Sequence, residues 1–151
     1  MTTQNDTIDT LNDLIMTSKD GEYGFRASAE HAKAPDLRSL FARRADECGA
    51  AAQQLQMHVS RLGGEPDTGG SATGALHRGW VAVRATLSTY TDQAILDECE
   101  RGEDAALEQY DNALKQTLPV EVQAVVVQQR DGVKRNHDQI RALRNQLEAA
   151  H

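Results

Sequence analysis

Apolar positions along this chain recur in steps of three and four rather than alternating, which is the spacing of helices that bury one face. Leu11, Leu14, Ile15, Ser18, Glu22, Phe25, Ala29 and Ala32 predict a first helix over about 7–33. Leu37, Leu40, Phe41, Cys48, Ala52, Leu55 and Val59 predict a second over about 35–62. Ile95, Cys99, Gly102, Ala106, Tyr110 and Ala113 predict a third over about 92–117, and Val122, Val126, Val133, Asn136, Ile140 and Leu147 a fourth over about 119–148. No stretch keeps a period of two long enough for a sheet. Punctuation agrees. Pro35 and Pro119 can each be a first helical residue, followed by a carboxylate where the helix dipole favours negative charge. Thr91 can cap the third helix, and the Gly63-Gly64 pair can stop the second.

Two tight hairpins are therefore joined by a connection over 63–91, in which residues of about 71–87 form a further amphipathic piece carrying Trp80. A short link would suffice for an up-down bundle. The long one implies an all-α, ferritin-like four-helix bundle with one long crossover containing a short extra helix. Residues 1–6 are polar and are expected to form a disordered start, leaving 7–148 as a single domain.

Length and composition narrow the function. A chain of 151 residues supports one core, and an aromatic share of 4% suits closely spaced helices. Sixteen basic residues scattered among 23 acidic ones give a net charge of -7, so no basic stripe exists for nucleic acid or anionic membrane. No apolar run approaches a bilayer span and the polar start is unlike a signal peptide, which places the expected protein in the cytoplasm. Cys48 and Cys99 make no metal or disulfide pattern and are expected as free thiols. Neither a phosphate-binding loop nor a nucleophile motif is present, so nucleotide binding and hydrolase chemistry are not expected.

Candidate chemistry lies at mid-height. Glu22 falls on the apolar stripe of the first helix, 13 residues before Pro35, and Glu47 lies 12 after it, so an antiparallel hairpin sets them level. Counting from Asp92 and Pro119 brings Glu103 and His137 to the same waist, with Glu98 and Glu100 as alternates. Gly21, Gly24, Gly49, Gly102 and Gly132 occupy helix interiors at these heights, where each costs roughly 1 kcal/mol against Ala. Buried carboxylates need a partner. Two are available: the cations of Lys134 and Arg44, or a divalent metal (Fe, Mn or Zn) held by Glu22, Glu47, Glu103 and His137. Dinuclear bundles use Glu-x-x-His on two helices. Here Ala50 stands where one His belongs and Lys134 where one Glu belongs, which favours a single ion over two.

The segments Asp20-Gly-Glu-Tyr-Gly-Phe25, Arg44-Ala-Asp-Glu-Cys48, Leu76-His-Arg-Gly-Trp80, Glu98-Cys-Glu-Arg-Gly-Glu-Asp104 and Arg135-Asn-His-Asp138 give the chain a resemblance to a bacterial family, domain of unknown function 2383, described as ferritin-like four-helix bundles. The resemblance spans about residues 8–147 and implies a ferritin-like fold, a bacterial cytoplasm and assembly into a homodimer or higher homo-oligomer. The expected function is that of a non-catalytic, stress-related or interaction protein. The alternative is a metal-binding protein that holds a single divalent ion through the waist carboxylates and one His, with a dinuclear iron or manganese oxidase or peroxidase ranked behind it.

Overall fold

A computed structural model describes residues 3–68, Trp80 and residues 91–150. It contains four long helices: α1 Gln4–His31, α2 Pro35–Arg61, α3 Asp92–Leu114 and α4 Val120–Ala149. No strand occurs among the described residues. The extra crossover helix expected over 71–87 lies outside them, apart from Trp80.

Local chemistry sets the helix ends. α1 begins three residues before its predicted start, taking residues 4–6 out of the expected disordered segment. The cause is a capping box: Asp6 N–H donates to Thr3 Oγ1 at 3.1 Å, and Thr3 N–H donates to Asp6 Oδ2 at 3.2 Å. At its other end α1 stops at His31, where Ala32 turns extended, and Pro35 keeps the residue before it, Ala34, extended as well. α2 closes in a Schellman motif, with Gly64 N–H on Val59 O and Gly63 N–H on Ser60 O, both at 3.0 Å. Gly63 has φ +83°, a conformation that favours glycine. Thr91 caps α3 through Ala94 N–H at 3.1 Å. Pro119 is the residue before α4 rather than its first, and α3 ends at Leu114, short of the predicted 117.

α1 packs along α2 and α3 along α4, and the two hairpins meet chiefly through α1 and α3. Polar ties fix the direction of that meeting. Asp92, in the first turn of α3, accepts the N–H groups of Lys33 and Ala34 at 2.7 and 3.0 Å, while Thr10 Oγ1 near the start of α1 bonds Gln116 beyond the end of α3 at 3.0 Å. α1 and α3 are therefore antiparallel, α2 and α3 run the same way, and the end of α2 and the start of α3 lie at opposite ends of the bundle. This is the ferritin-like connectivity.

The core divides into two apolar clusters. One holds Phe25, Leu40, Phe41, Ile95, Leu96 and Ile140; the other holds Leu11, Leu14, Ile15, Leu55, Val59 and Val126. Between them lies a polar layer of Ser18, Arg44, Glu103, Asn136 and His137, all buried. No helix among the described residues is long and apolar enough to cross a membrane.

Candidate functional site

Arg44 occupies a core position of α2, one turn beyond Leu40 and Phe41, so its charge cannot stay in water. It meets Glu103 of α3, which is only 2% exposed, through Nε–Oε1 at 3.3 Å and Nη2–Oε2 at 3.5 Å. Its Nη1 reaches Glu47 at 3.5 Å, and the guanidinium lies 5.9 Å from the centre of the Phe25 ring. Burial pushes the Glu103 carboxyl above its ordinary range, and Arg44, Asn136 and His137 pull it back in part. Burial also works against the charge on Arg44, but Cys48, Glu103 and Glu47 outweigh it and hold the guanidinium protonated.

The indole of Trp80, 3% exposed, fills the space beside this pair. It stands edge-on to Phe25 with centroids 5.0 Å apart at 66°. Two glycines admit it. A Cβ at Gly24 would lie 2.1 Å from Trp80 Cε3, and one at Gly102 would lie 2.5 Å from Cζ2. Gly49 serves another group, since a Cβ there would lie 2.5 Å from Glu22 Oε2. The glycine layer thus seats an indole and a carboxylate.

A hydrogen-bonded belt continues across all four helices. Ser18 Oγ and Tyr110 OH are 3.2 Å apart, Tyr110 OH donates to Gln129 Oε1 at 2.7 Å, and Gln129 Nε2 donates to Gln54 Oε1 at 3.0 Å. Burial pushes the Tyr110 hydroxyl up to about 12. Tyr110 therefore bonds a serine and an amide. Where α2 and α4 stand apart, a cleft of about 880 Å³ opens onto the belt, the Arg44–Glu103 pair and Trp80.

The four predicted ligands do not gather. Glu103 and His137 are buried as expected, but Glu22 lies in the seam between α1 and α2, paired with Lys19 at 3.4 Å and Arg26 at 3.6 Å. Glu47 is 54% exposed and meets Arg44. Of the two proposed neutralisers, Arg44 faces the interior carboxylate, whereas Lys134 turns outward to Asp138 at 2.8 Å. Glu98 pairs with Arg101 on its own helix. A dinuclear centre, which the fold family suggests, does not fit these residues: Arg44 sets a guanidinium against Glu103, and Ala50 and Lys134 cannot supply the missing ligands.

One donor set does converge among the described residues. Glu100, Asp104 and His137 each offer an atom such that all lie within 4.8 Å of one another. Glu100 was an alternate from the sequence; Asp104 was missed because it lies off the apolar stripe. The signal was present in the spacing: Glu100 stands 19 residues before Pro119 and His137 18 after it, and Asp104 is one turn along α3 from Glu100.

Both thiols are buried and unpaired in any disulfide. Burial pushes Cys48 up to about 12 and Cys99 further. Neither is poised as a nucleophile.

Residues 6–116 match the family model described as Domain of unknown function (DUF2383). The chain belongs to this family. No curated protein sequence matches it. Among solved structures it is similar to a C-terminal deletion mutant of Mycobacterium smegmatis Dps, with 15% identity and TM-score 0.77 over 93% of this chain and 99% of that one. It is also similar to Dps from Staphylococcus aureus, with 16% identity and TM-score 0.76 over 95% and 97% of the two chains. A third neighbour is a dodecameric thioferritin, the bacterioferritin-related protein of Bacteroides fragilis, with 13% identity and TM-score 0.72 over 98% of this chain and 91% of that one. At these identities the likeness establishes a ferritin-like fold.

Proposed function

We propose that this chain is a non-catalytic ferritin-like protein, stress-related in role, that works as a homo-oligomer of a cytoplasmic protein and has no dinuclear metal chemistry at its waist. The observation that carries this reading is the buried Arg44–Glu103 pair beside the seated Trp80 indole, which sets a protein cation on the interior carboxylate that a metal pair would need. The neighbour described as a dodecameric thioferritin supports assembly into a homo-oligomer. A net charge of -7 argues against nucleic acid and anionic membrane as partners.

The test is aerobic incubation of untagged protein with Fe(II). Under the proposal, Fe(II) is oxidised no faster than in buffer, and sedimentation gives a mass several times that of the chain. Accelerated oxidation with two irons retained per chain overturns the reading, and a monomer in sedimentation overturns its assembly.

A further inference from the structure

We propose that Glu100, Asp104 and His137 form a mononuclear site for a first-row divalent cation on the seam between α3 and α4. This goes beyond the function proposed above, which concerns the waist, and it uses none of the Arg44, Glu103 or Trp80 atoms.

The site draws on two helices. Glu100 and Asp104 are four residues apart on α3 and so share one face, while His137 projects from α4 against them. Their donor atoms lie within 4.8 Å of one another, a spread that an ion with bonds of about 2.0–2.2 Å to N and O can draw together. The set of one imidazole and two carboxylates suits Zn(II), Fe(II) or Mn(II) better than Ca(II), which takes oxygen ligands.

His137 is oriented for this task. It is 3% exposed, and its Nδ1 lies 3.1 Å from Asp138 Oδ1. A carboxylate accepting Nδ1–H leaves the lone pair on Nε2, the arrangement that outer carboxylates impose on metal-binding histidines. That Nε2 then points at Asp104 Oδ1, 2.5 Å away. At that separation the two atoms share a proton or a cation between them.

Glu100 gives an independent observation. Its Oε2 is buried without a hydrogen bond and is held by an ionic contact to Arg144 Nη1 at 2.7 Å, while Arg144 Nε, also buried and without a hydrogen bond, lies 3.7 Å from Asp97 Oδ1. The carboxylate is thus deep and faces two guanidiniums, with no hydrogen bond on Oε2 and lone pairs left for a further partner. Arg141, 50% exposed, lies across the opening, with Nε 3.5 Å from Glu100 Oε1 and Nη2 3.5 Å from His137 Nε2. An ion entering the site displaces this arm and replaces both of its contacts. Asp104, 54% exposed, opens the site to solvent and leaves room for water in the remaining coordination positions.

The experiment is calorimetric titration of untagged, chelator-treated protein with Zn(II) chloride, alongside thermal unfolding with and without Zn(II). The native chain should bind one Zn(II) and melt higher in its presence. Asp104→Asn, whose half-exposed position spares the fold, and His137→Gln should each weaken binding at least tenfold and lose the thermal shift. Glu47→Gln and Glu22→Gln should bind as the native chain does. Absence of Zn(II) binding by the native chain overturns the site, leaves a proton between His137 and Asp104 as the alternative, and leaves the proposed function standing. Full affinity in Asp104→Asn also overturns it. Loss of binding in Glu47→Gln, with Asp104→Asn unaffected, would return the metal to the waist and overturn the proposed function as well.

Discussion

Replacing Gly24 by Ala should destabilise the native chain yet stabilise one that lacks the indole. In an open helix interior Gly→Ala is worth about 1 kcal/mol in favour of Ala. At position 24 the new methyl would stand 2.1, 2.2 and 2.7 Å from three indole atoms of Trp80, far inside the 3.5–4.0 Å of ordinary carbon contact. The obstruction is a rigid ring wedged against Phe25, so it cannot swing away as a lysine tip could. Overpacking of this kind costs about 1–3 kcal/mol. Taking about 3 because the ring is rigid, and offsetting about 1 for helix preference, the net destabilisation is about 2 kcal/mol. That corresponds to roughly 4–8 °C in Tm for a chain of this size.

Trp80→Ala alone should cost about 3–5 kcal/mol. In that background Gly24→Ala should gain about 1 kcal/mol, since the clash is gone. The sign reversal gives a coupling of about 3 kcal/mol, measurable by a double-mutant cycle in urea followed by far-UV circular dichroism. Gly132→Ala is the internal control: its Cβ would meet nothing nearer than Arg135 Nη2 at 3.7 Å, so it should stabilise both backgrounds alike. If Gly24→Ala stabilised the native chain as Gly132→Ala does, the seating of the indole on α1 would be refuted.

Arg44→Met should leave Glu103 buried without its cation and cost about 3–5 kcal/mol, with Arg44→Met/Glu103→Leu recovering most of it in chemical denaturation. Because burial raises the folded Glu103 carboxyl above 4.5, the unfolded chain loses this proton first as pH rises, so stability from this group is present in acid and declines above that value. Glu103→Gln should lack that decline when urea midpoints are compared across pH. Asp92→Ala removes the acceptor for Lys33 and Ala34 N–H and should cost roughly 1.5–3 kcal/mol, read in the same assay. Native Cys48, raised to about 12 by burial, should resist iodoacetamide at neutral pH until denaturant is added; rapid labelling of the folded chain would contradict its placement.

The helices were legible because their ends carry local chemistry: Pro35, Thr91 and the Gly63-Gly64 stop each act within a turn of themselves. Height was legible too, since counting from the tight turns placed Glu103 and His137 in the interior layer they occupy. Rotation was less so. A constant 100° per residue carried the Leu11 stripe onto Glu22, but the buried side of α1 at that height runs through Asp20, Gly21, Gly24 and Phe25, and Glu22 falls into the seam against Gly49. The glycine layer announced missing volume without naming its occupant. Trp80 reaches that space from the crossover, and no periodicity within a helix encodes a contact of that sequence separation. Asp104 escaped notice for a related reason, as a half-exposed carboxylate gains meaning only from the imidazole on the facing helix.

The changes at the waist form a consistent set rather than a collection of losses. A bundle that holds two metal ions needs facing carboxylates and imidazoles with an empty space between them. Here the cation is built into the chain as Arg44, in ion-pair contact with Glu103, so the buried carboxylate keeps a partner. Gly24 and Gly102 give up side chains to admit an indole, and that indole adjoins Phe25, over which the guanidinium of Arg44 also lies. Volume, charge and local backbone choice agree, as they must for a sequence to specify one packed state. His137 fits the same logic. With Arg44 serving Glu103, the imidazole is free to direct its nitrogens toward Asp104 and Asp138 at the α3–α4 seam. An ion-paired waist and an open seam site are therefore compatible in one bundle, because they draw on different atoms of the same polar layer.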